Sequence, residues 1–308
     1  MNFVPRLRQN GECMEKRTLF SLSFWRDRTH LLLLLYGISS LLFFFLASFF
    51  LRGREASDIP LSLGLAQALA LFLPLLFALH MQEGETFFQT RDRLSFSFVL
   101  RAISVLLSAC AFFLGYKALL SLLEIPFAYT VLRVPAPEIS PLSVVSFVVL
   151  PAFLEEFFCR GLVYSHLREY GIVSCMTVTT LLSAFLYLPS PWLLPLLLVF
   201  GILMGLLRLI SRSFFPTFLV MAAVKLFCFL DARGLFALWH LEGQNMLLFC
   251  LGAFFLFLLF IALALSSFGR LVKQNRTETA QSPKKLWSSL MLWGVFLLCG
   301  LLCVLMGV

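Results

Sequence analysis

Two adjacent glutamates and an arginine lie within a hydrophobic stretch, and their types and spacing are the best support for chemistry in this chain. Glu155, Glu156 and Arg160 follow the apolar run 144–150 in the sequence PAFLEEFFCRG. An acidic side chain at the centre of a membrane helix costs about 2.5–3.5 kcal/mol, so such residues usually face protein or water and serve a function. A carboxylate in this position can act as a general base, which takes a proton from a reacting group or a water.

The spacing of these residues predicts how they are arranged on a helix. Glu156 and Arg160 stand at positions i and i+4 with the acid first, the order that favours an intrahelical ion pair. Glu155 lies about 100° around the helix, so we expect that this pair leaves it without a neutralising partner. Spacing alone leaves three interpretations open. The carboxylates are solvated charges at the cytoplasmic interface of a span that ends near Leu154, or one of them is functional, or they form a buried structural ion pair.

Hydrophobic helices are the elements that must position these residues. Of the 308 residues, 60% are hydrophobic and 13% are charged, whereas a soluble domain is nearer to half apolar and a quarter charged. A hydrocarbon core about 30 Å thick needs about 20 apolar residues of helix. The sequence therefore predicts an all-α fold, a polytopic transmembrane helical bundle of about eight or nine spans. The predicted spans are 30–51, 61–79, 102–123, 141–165, 171–188, 191–211, 214–230, 246–267 and 287–307.

Lysine and arginine are distributed unevenly between the loops, which predicts the orientation of the spans. With nine spans, fifteen of these residues fall on the side of the N-terminus and four on the other side. The fifteen are Arg6, Arg8, Lys16, Arg17, Arg26, Arg28, Arg91, Arg93, Arg168, Arg212, Arg270, Lys273, Arg276, Lys284 and Lys285, and the four are Arg52, Arg54, Arg133 and Arg233. Cytoplasmic loops carry the excess of Lys and Arg. We therefore expect a multi-pass protein of the cell membrane with a cytoplasmic N-terminus, in contact with the lipid bilayer and with no nucleic-acid partner.

The element Glu155-Glu156-x-x-x-Arg160-Gly161 resembles the first signature of the CPBP family, the CAAX-processing and bacteriocin-related intramembrane metalloproteases. The resemblance covers about residues 139–231 and implies an all-helical core. In that family, glutamates and histidines line a cavity in the membrane, hold a divalent metal such as zinc and activate water for peptide hydrolysis. The resemblance thus implies Glu155, Glu156 and Arg160 as candidate catalytic residues.

The later motifs of the family occur in the expected order along the chain. Segment 183–189 stands where the family has Phe-x-x-x-His, so that Phe185 matches the phenylalanine and Pro189 replaces the histidine. Gly201 and Gly205 supply the Gly-x-x-x-Gly helix, in which small residues allow close packing.

The third motif lacks its functional side chains. The family has a histidine followed four residues on by an asparagine, in a helix that begins near a proline. This chain has Val220 and Val224 at those positions, with Lys225 beside the second. Both motif histidines are thus missing, and no ligands for the implied metal are evident. A site of two carboxylates without imidazole would bind zinc weakly.

Other residues do not replace the missing ligands. His166 lies about 15 Å along the helix axis from the glutamates, at about 1.5 Å per residue, whereas zinc–ligand bonds are about 2 Å long. His30 and His80 lie at the cytoplasmic ends of other spans, and His240 lies in a loop on the opposite side. The eight cysteines form no CxxC pair and indicate neither a disulfide framework nor a zinc site. The remaining ionisable residues of the spans are expected near helix ends, where long side chains reach the interface: Lys117, Arg208, Lys225 and Asp231.

The resemblance divides the chain into four parts. They are a cytoplasmic N-terminal tail (1–29), the N-terminal transmembrane helices (30–138), the CPBP-like core (139–231) and the C-terminal transmembrane helices (232–308). Segment 80–101 is predicted as a cytoplasmic loop, long enough for a short interfacial helix.

Three functional hypotheses follow. The first is an intramembrane metallo-endopeptidase resembling type 2 CAAX prenyl proteases, with reduced or lost catalysis. The second is a non-catalytic membrane binding or immunity-type protein, and the third is a transporter that uses the buried carboxylates. The resemblance implies a membrane-associated peptide or a prenylated protein as the partner.

Overall fold

The described part of the chain is built from helices. The computed structural model describes residues 96–125, 139–167, 170–185, 191–211, 213–232 and 244–266, together with scattered helical positions between 38 and 76. Within these residues there is no strand. The predicted all-α transmembrane fold is confirmed. The predicted number of spans stays a prediction, because the predicted spans 30–51, 61–79 and 287–307 lie wholly or largely outside the described residues.

Six helical segments, numbered here along the chain, make up the described bundle. They are α1 (Phe96–Leu122), α2 (the continuous helical segment 141–167), α3 (Ile172–Phe185), α4 (Leu194–Ser211, after the single 3₁₀ turn Pro191–Leu193), α5 (Phe214–Asp231) and α6 (Gln244–Leu265). All except α3 are long and apolar enough to cross a membrane. The chain is therefore a membrane protein with several spans.

The observed helices agree with the predicted spans to within a few residues, with two differences. α1 begins at Phe96, so residues 96–101 are helical although they were predicted as the end of a loop. Their sequence, FSFVLR, contains no helix breaker, and the helix therefore extends beyond the predicted span. α3 is described over 14 residues, which is shorter than its predicted span 171–188, and residues 186–190 lie outside the described part.

Serine side chains cap the starts of two helices of the core. At the start of α2, Ser140 Oγ accepts a hydrogen bond from the backbone N–H of Ser143, and Pro141 stands at the first helical position. At the start of α5, Ser213 Oγ accepts from the backbone N–H of Phe215. Such caps satisfy N–H groups that have no partner within the helix.

α4 lies at the centre of the described bundle and is buried along much of its length, with Phe200, Leu203 and Met204 in the apolar core. α6 packs mainly on α1, where a Cβ added to Gly115 would lie 3.3 Å from the Cβ of Ala253. The rest of α6 exposes leucine and phenylalanine side chains. In a membrane this apolar surface faces lipid or other spans.

Two polar contacts bring the ends of three helical segments together. Lys117 in α1 forms an ion pair with Asp231 at the end of α5, with 2.7 Å between Nζ and Oδ2. Tyr116 donates a hydrogen bond to the backbone oxygen of Trp192, just before α4. The prediction that Lys117 and Asp231 lie near helix ends is confirmed. These helix ends lie on one side of the bundle, which is the arrangement expected of alternating spans.

Candidate functional site

The helix that carries the glutamates and the arginine changes its winding at this point. Residues Leu150–Glu156 of α2 are α-helical and Phe157–Val163 form a π-helical stretch. The N–H of Tyr164 therefore bonds to the carbonyl of Cys159, five residues back. In an α-helix it would bond to the carbonyl of Arg160. Short π-helical stretches are rare and occur frequently at functional sites.

The carbonyl oxygen of Arg160 accepts a hydrogen bond from a second arginine. Arg208, in the last turn of α4, donates from Nε to the carbonyl oxygen of Arg160 at 2.8 Å. Its guanidinium carbon also lies 5.3 Å from the centre of the Tyr164 ring, within the range of a cation–π contact. The predicted position of Arg208 near a helix end is thus confirmed, and its side chain joins α4 to the π-helical stretch of α2.

Glu155, Glu156 and Arg160 are buried within the bundle. The exposed fraction is 4% for Glu155 and 0% for both Glu156 and Arg160. This burial excludes the interpretation that the carboxylates are solvated charges at a membrane interface. The predicted ion pair is present, with 3.1 Å between Arg160 Nη1 and Glu156 Oε1.

Glu155 has charged partners too, which corrects the expectation that it would lack one. Arg160 Nη1 lies 3.7 Å from Glu155 Oε1, and Lys225 Nζ lies 3.0 Å from Glu155 Oε2. The angle between adjacent helix positions does not separate the two carboxylates, because both turn an oxygen towards the same guanidinium nitrogen.

The prediction that Lys225 lies near a helix end is also wrong. Lys225 is not a helix-end residue whose side chain reaches the interface, since it lies inside α5 and is 4% exposed. Glu155, Glu156, Arg160 and Lys225 together form what is called here the charge cluster. Two carboxylates and two cations give it no net charge when all four are ionised, which is the condition under which charges are tolerated in a poorly solvated interior.

Two further helices hold the guanidinium from the other side. Arg160 Nη2 donates to Ser183 Oγ in α3 and to the carbonyl oxygen of Gly201 in α4, each at 3.2 Å. Gly201 also lets α4 pack closely against α3, because a Cβ at this position would lie 2.7 Å from Thr180 Cγ2. The predicted role of the Gly201–Gly205 segment in close helix packing is confirmed here.

The remaining motif positions contribute no polar group to the cluster among the described side chains. Val220 and Val224 are buried in the apolar core that α5 shares with α4. Phe185 is the last residue of α3, and only its backbone is described, while Pro189 lies outside the described residues.

The described residues do not fit the metal that the resemblance implies. They contain no group of three or more His, Cys, Asp or Glu side chains that could hold a metal ion. A divalent cation at the two glutamates would also meet Arg160 and Lys225, whose charges repel it. His30, His80 and His240 lie outside the described residues, and the side chain of His166 is likewise not described.

Sequence reasoning missed Lys225 and Ser183 as members of this site. A signal for Lys225 was present in the sequence. Placing a charged lysine inside an apolar membrane helix is as unfavourable in free energy as placing a glutamate there, so a nearby partner is expected. Ser183 gave no such signal, since a serine can satisfy its hydroxyl within its own helix.

Comparison with known proteins identifies the segment that contains this site. Residues 137–227 match the family model described as Type II CAAX prenyl endopeptidase Rce1-like. No curated protein and no solved structure gives a significant match to the chain. The resemblance to the CPBP family that Glu155, Glu156 and Arg160 predicted is thereby confirmed for residues 137–227.

Proposed function

We propose that this chain is a non-catalytic CPBP-type membrane protein, which binds a membrane-associated peptide or a prenylated protein without cleaving it. The supporting observation is the ion pair between Lys225 and Glu155, 3.0 Å long and buried on both sides. An ammonium group at this distance repels a metal cation from Glu155 Oε2.

Hydrolysis of a peptide inside a membrane needs a water that is activated and held. Metal-dependent activation requires a firmly bound ion, and catalytic zinc typically has three protein ligands. The described residues offer two carboxylates, each already within 3.1 Å of a cationic nitrogen. In our proposal the charge cluster ties α2 to α5, α3 and α4, and the core serves as a rigid surface for recognition.

The proposed partner class comes from the family match, whose description names CAAX prenyl endopeptidases. A binder that keeps the family's helical core and loses its hydrolytic ligands would retain affinity for the same class of molecule. The alternative of cation transport through Glu155 and Glu156 has less support, because Arg160 and Lys225 balance the two carboxylates and leave no excess negative charge to attract a cation.

The catalytic part of the proposal is tested with full-length protein purified in detergent. We expect the wild type to contain much less than one zinc ion per chain by elemental analysis. It should cleave a farnesylated CAAX peptide no faster than the Glu155→Gln variant does. Chelator-sensitive cleavage that Glu155→Gln abolishes would overturn this part.

The binding part is tested with the same peptide carrying a photo-crosslinking group. We expect the wild type to crosslink to the farnesylated peptide and not to its unprenylated form, with competition by the unlabelled farnesylated peptide. Equal labelling of both peptides, or labelling that no competitor reduces, would contradict the proposed partner class.

A further inference from the structure

We infer that Arg208 is a positioning residue: its hydrogen bond to the backbone of Arg160 keeps α2 π-helical at this point and so directs the guanidinium of Arg160 into the charge cluster. This role goes beyond the proposed function, because it applies whatever the core binds. It makes an arginine that is not a member of the charge cluster necessary for the arrangement of the cluster.

The π-helical stretch Phe157–Val163 takes the carbonyl of Arg160 out of the bonding pattern of an α-helix. The N–H of Tyr164 bonds to the carbonyl of Cys159, whereas an α-helix would direct it to Arg160. Arg160 is 0% exposed, and a buried carbonyl oxygen needs a donor. Arg208 Nε is such a donor, at 2.8 Å. The winding of α2 and the side chain of Arg208 therefore fit one another.

A second contact holds Arg208 at this carbonyl. The guanidinium carbon lies 5.3 Å from the centre of the Tyr164 ring, within the range of a cation–π contact. Tyr164 is the residue that directly follows the π-helical stretch. Arg208 thus contacts both the carbonyl of Arg160 and the residue whose N–H bonds elsewhere, and a charged donor makes a stronger hydrogen bond than a neutral one.

α4 holds Arg160 both at its side chain and at its backbone. The carbonyl oxygen of Gly201 accepts a hydrogen bond from Arg160 Nη2. Arg208 lies two turns further along the same helix and donates to the backbone. Because both contacts come from one helix, the position and the direction of the Arg160 side chain are set together, and both depend on the π-helical winding of α2.

Loss of Arg208 would favour a regular α-helix, because the N–H of Tyr164 would then bond to the carbonyl of Arg160 in place of the lost donor. A change of one residue in register turns the two parts of a helix by about 100° relative to one another. Both glutamates of the charge cluster precede the π-helical stretch. This turn would therefore change the alignment of the Arg160 guanidinium with the carboxylates and with its acceptor Ser183.

The first experiment removes the need for Arg208 by removing the extra residue of the π-helical turn. Deletion of Gly161 takes away no side chain and shortens the five-residue bond of Tyr164 to the α-helical spacing of four. The N–H of Ser165 would then lie four residues after Arg160. The deletion therefore offers the carbonyl of Arg160 a donor within its own helix.

Thermal unfolding in detergent is measured for four full-length proteins: the wild type, Arg208→Met, the Gly161 deletion, and the deletion combined with Arg208→Met. We expect Arg208→Met to lower the melting temperature markedly in the wild-type chain and much less in the deletion background. Arg101→Met is the control, because this half-buried arginine lies in α1, and its effect should be the same in both backgrounds. Equal losses from Arg208→Met in the two backgrounds would overturn the inference, since a contact unrelated to the winding of α2 is lost equally from each.

The second experiment decides the question even if the deletion variant does not fold. Ser183 accepts a hydrogen bond from the guanidinium of Arg160, whereas Arg208 donates to its backbone. We expect Ser183→Ala to lower the melting temperature less in the Arg208→Met background than in the wild-type chain. The reason is that a rewound α2 has already lost the bond to Ser183, and mutations coupled through one residue are not additive.

Thr177→Ala is the control for this comparison, because the exposed Thr177 lies in α3 with Ser183 and bonds to the carbonyl of Val173. Its effect should be equal with and without Arg208. If Ser183→Ala has the same effect in both backgrounds, Arg208 does not position Arg160 and the inference is wrong. A reduced effect that Thr177→Ala shares would indicate a general weakening of α3 and would contradict the inference as well.

Discussion

Gly201 lies so close to Thr180 that a Cβ added to the glycine would stand 2.7 Å from Thr180 Cγ2 and 3.1 Å from Thr180 Cα. The carbonyl oxygen of the same glycine accepts a hydrogen bond from Arg160. One small residue therefore sets the separation of α3 and α4 at the level of the charge cluster, as small residues do at other interfaces between membrane helices.

Gly201→Ala is expected to destabilise the protein. The added methyl group forces α3 and α4 apart, and overpacking of this kind costs about 1–3 kcal/mol. The measurement is thermal unfolding of the purified protein in detergent. Gly252→Ala in α6 is the matched control, because nothing lies within 4 Å of a Cβ added there. Helix propensity alone would make this control up to about 1 kcal/mol more stable. If Gly201→Ala is no less stable than Gly252→Ala, the close contact does not limit the packing.

The helices could be predicted because their signals are local. Length and apolarity within a window of about 20 residues decide whether a segment spans a membrane. α2, α4, α5 and α6 were found within a few residues of their predicted positions, whereas α1 begins at Phe96, before its predicted span 102–123. The resemblance to the CPBP family was predictable for a related reason. Its first motif is a short run of adjacent residues, and three of them, Glu155, Glu156 and Arg160, are present.

The partners of the cluster were harder to predict because they depend on how helices pack. Spacing along α2 predicted the Glu156–Arg160 pair, since both residues lie on one helix. Which side chain of α5 faces Glu155 depends on the rotation and depth of a different helix, which a single sequence does not specify. For that reason Lys225 was assigned to a helix end, and Glu155 was expected to lack a partner.

The orientation of the bundle in the membrane is a prediction of the charge distribution. Reporter fusions should place residues 1–29, 80–93 and 268–286 in the cytoplasm. They should place the C-terminus on the opposite side of the cell membrane. The contacts Lys117–Asp231 and Tyr116–Trp192 bring the end of α1, the end of α5 and the start of α4 to one side, and reporters near these residues should agree with one another. A cytoplasmic C-terminus would remove a span from the nine-span arrangement.

Ser183→Ala is expected to lower stability through Arg160. The serine hydroxyl accepts from Arg160 Nη2 at 3.2 Å and donates to the carbonyl of Thr180. Its loss leaves a buried guanidinium N–H with one acceptor fewer, which costs about 1–3 kcal/mol. Thr177→Ala is the control, because this exposed threonine bonds only the carbonyl of Val173 in its own helix among the contacts described. Equal thermal unfolding of the two variants would mean that the Arg160–Ser183 bond adds no stability.

Arg160→Met is expected to be the most destabilising single substitution of the charge cluster. Arg160 is 0% exposed, lies within 3.7 Å of both carboxylates, and donates to two further helices. Methionine keeps much of the side-chain volume but leaves Glu155 and Glu156 with Lys225 as the one remaining cation of the cluster. Removing one partner of a buried pair costs about 3–5 kcal/mol. We therefore expect strongly reduced yield or a markedly lower melting temperature in detergent.

Lys117→Met is the comparison, because this side chain is 41% exposed and exposed ion pairs contribute about 0–1 kcal/mol. If Arg160→Met unfolds at the same temperature as Lys117→Met, Arg160 does not stabilise the core.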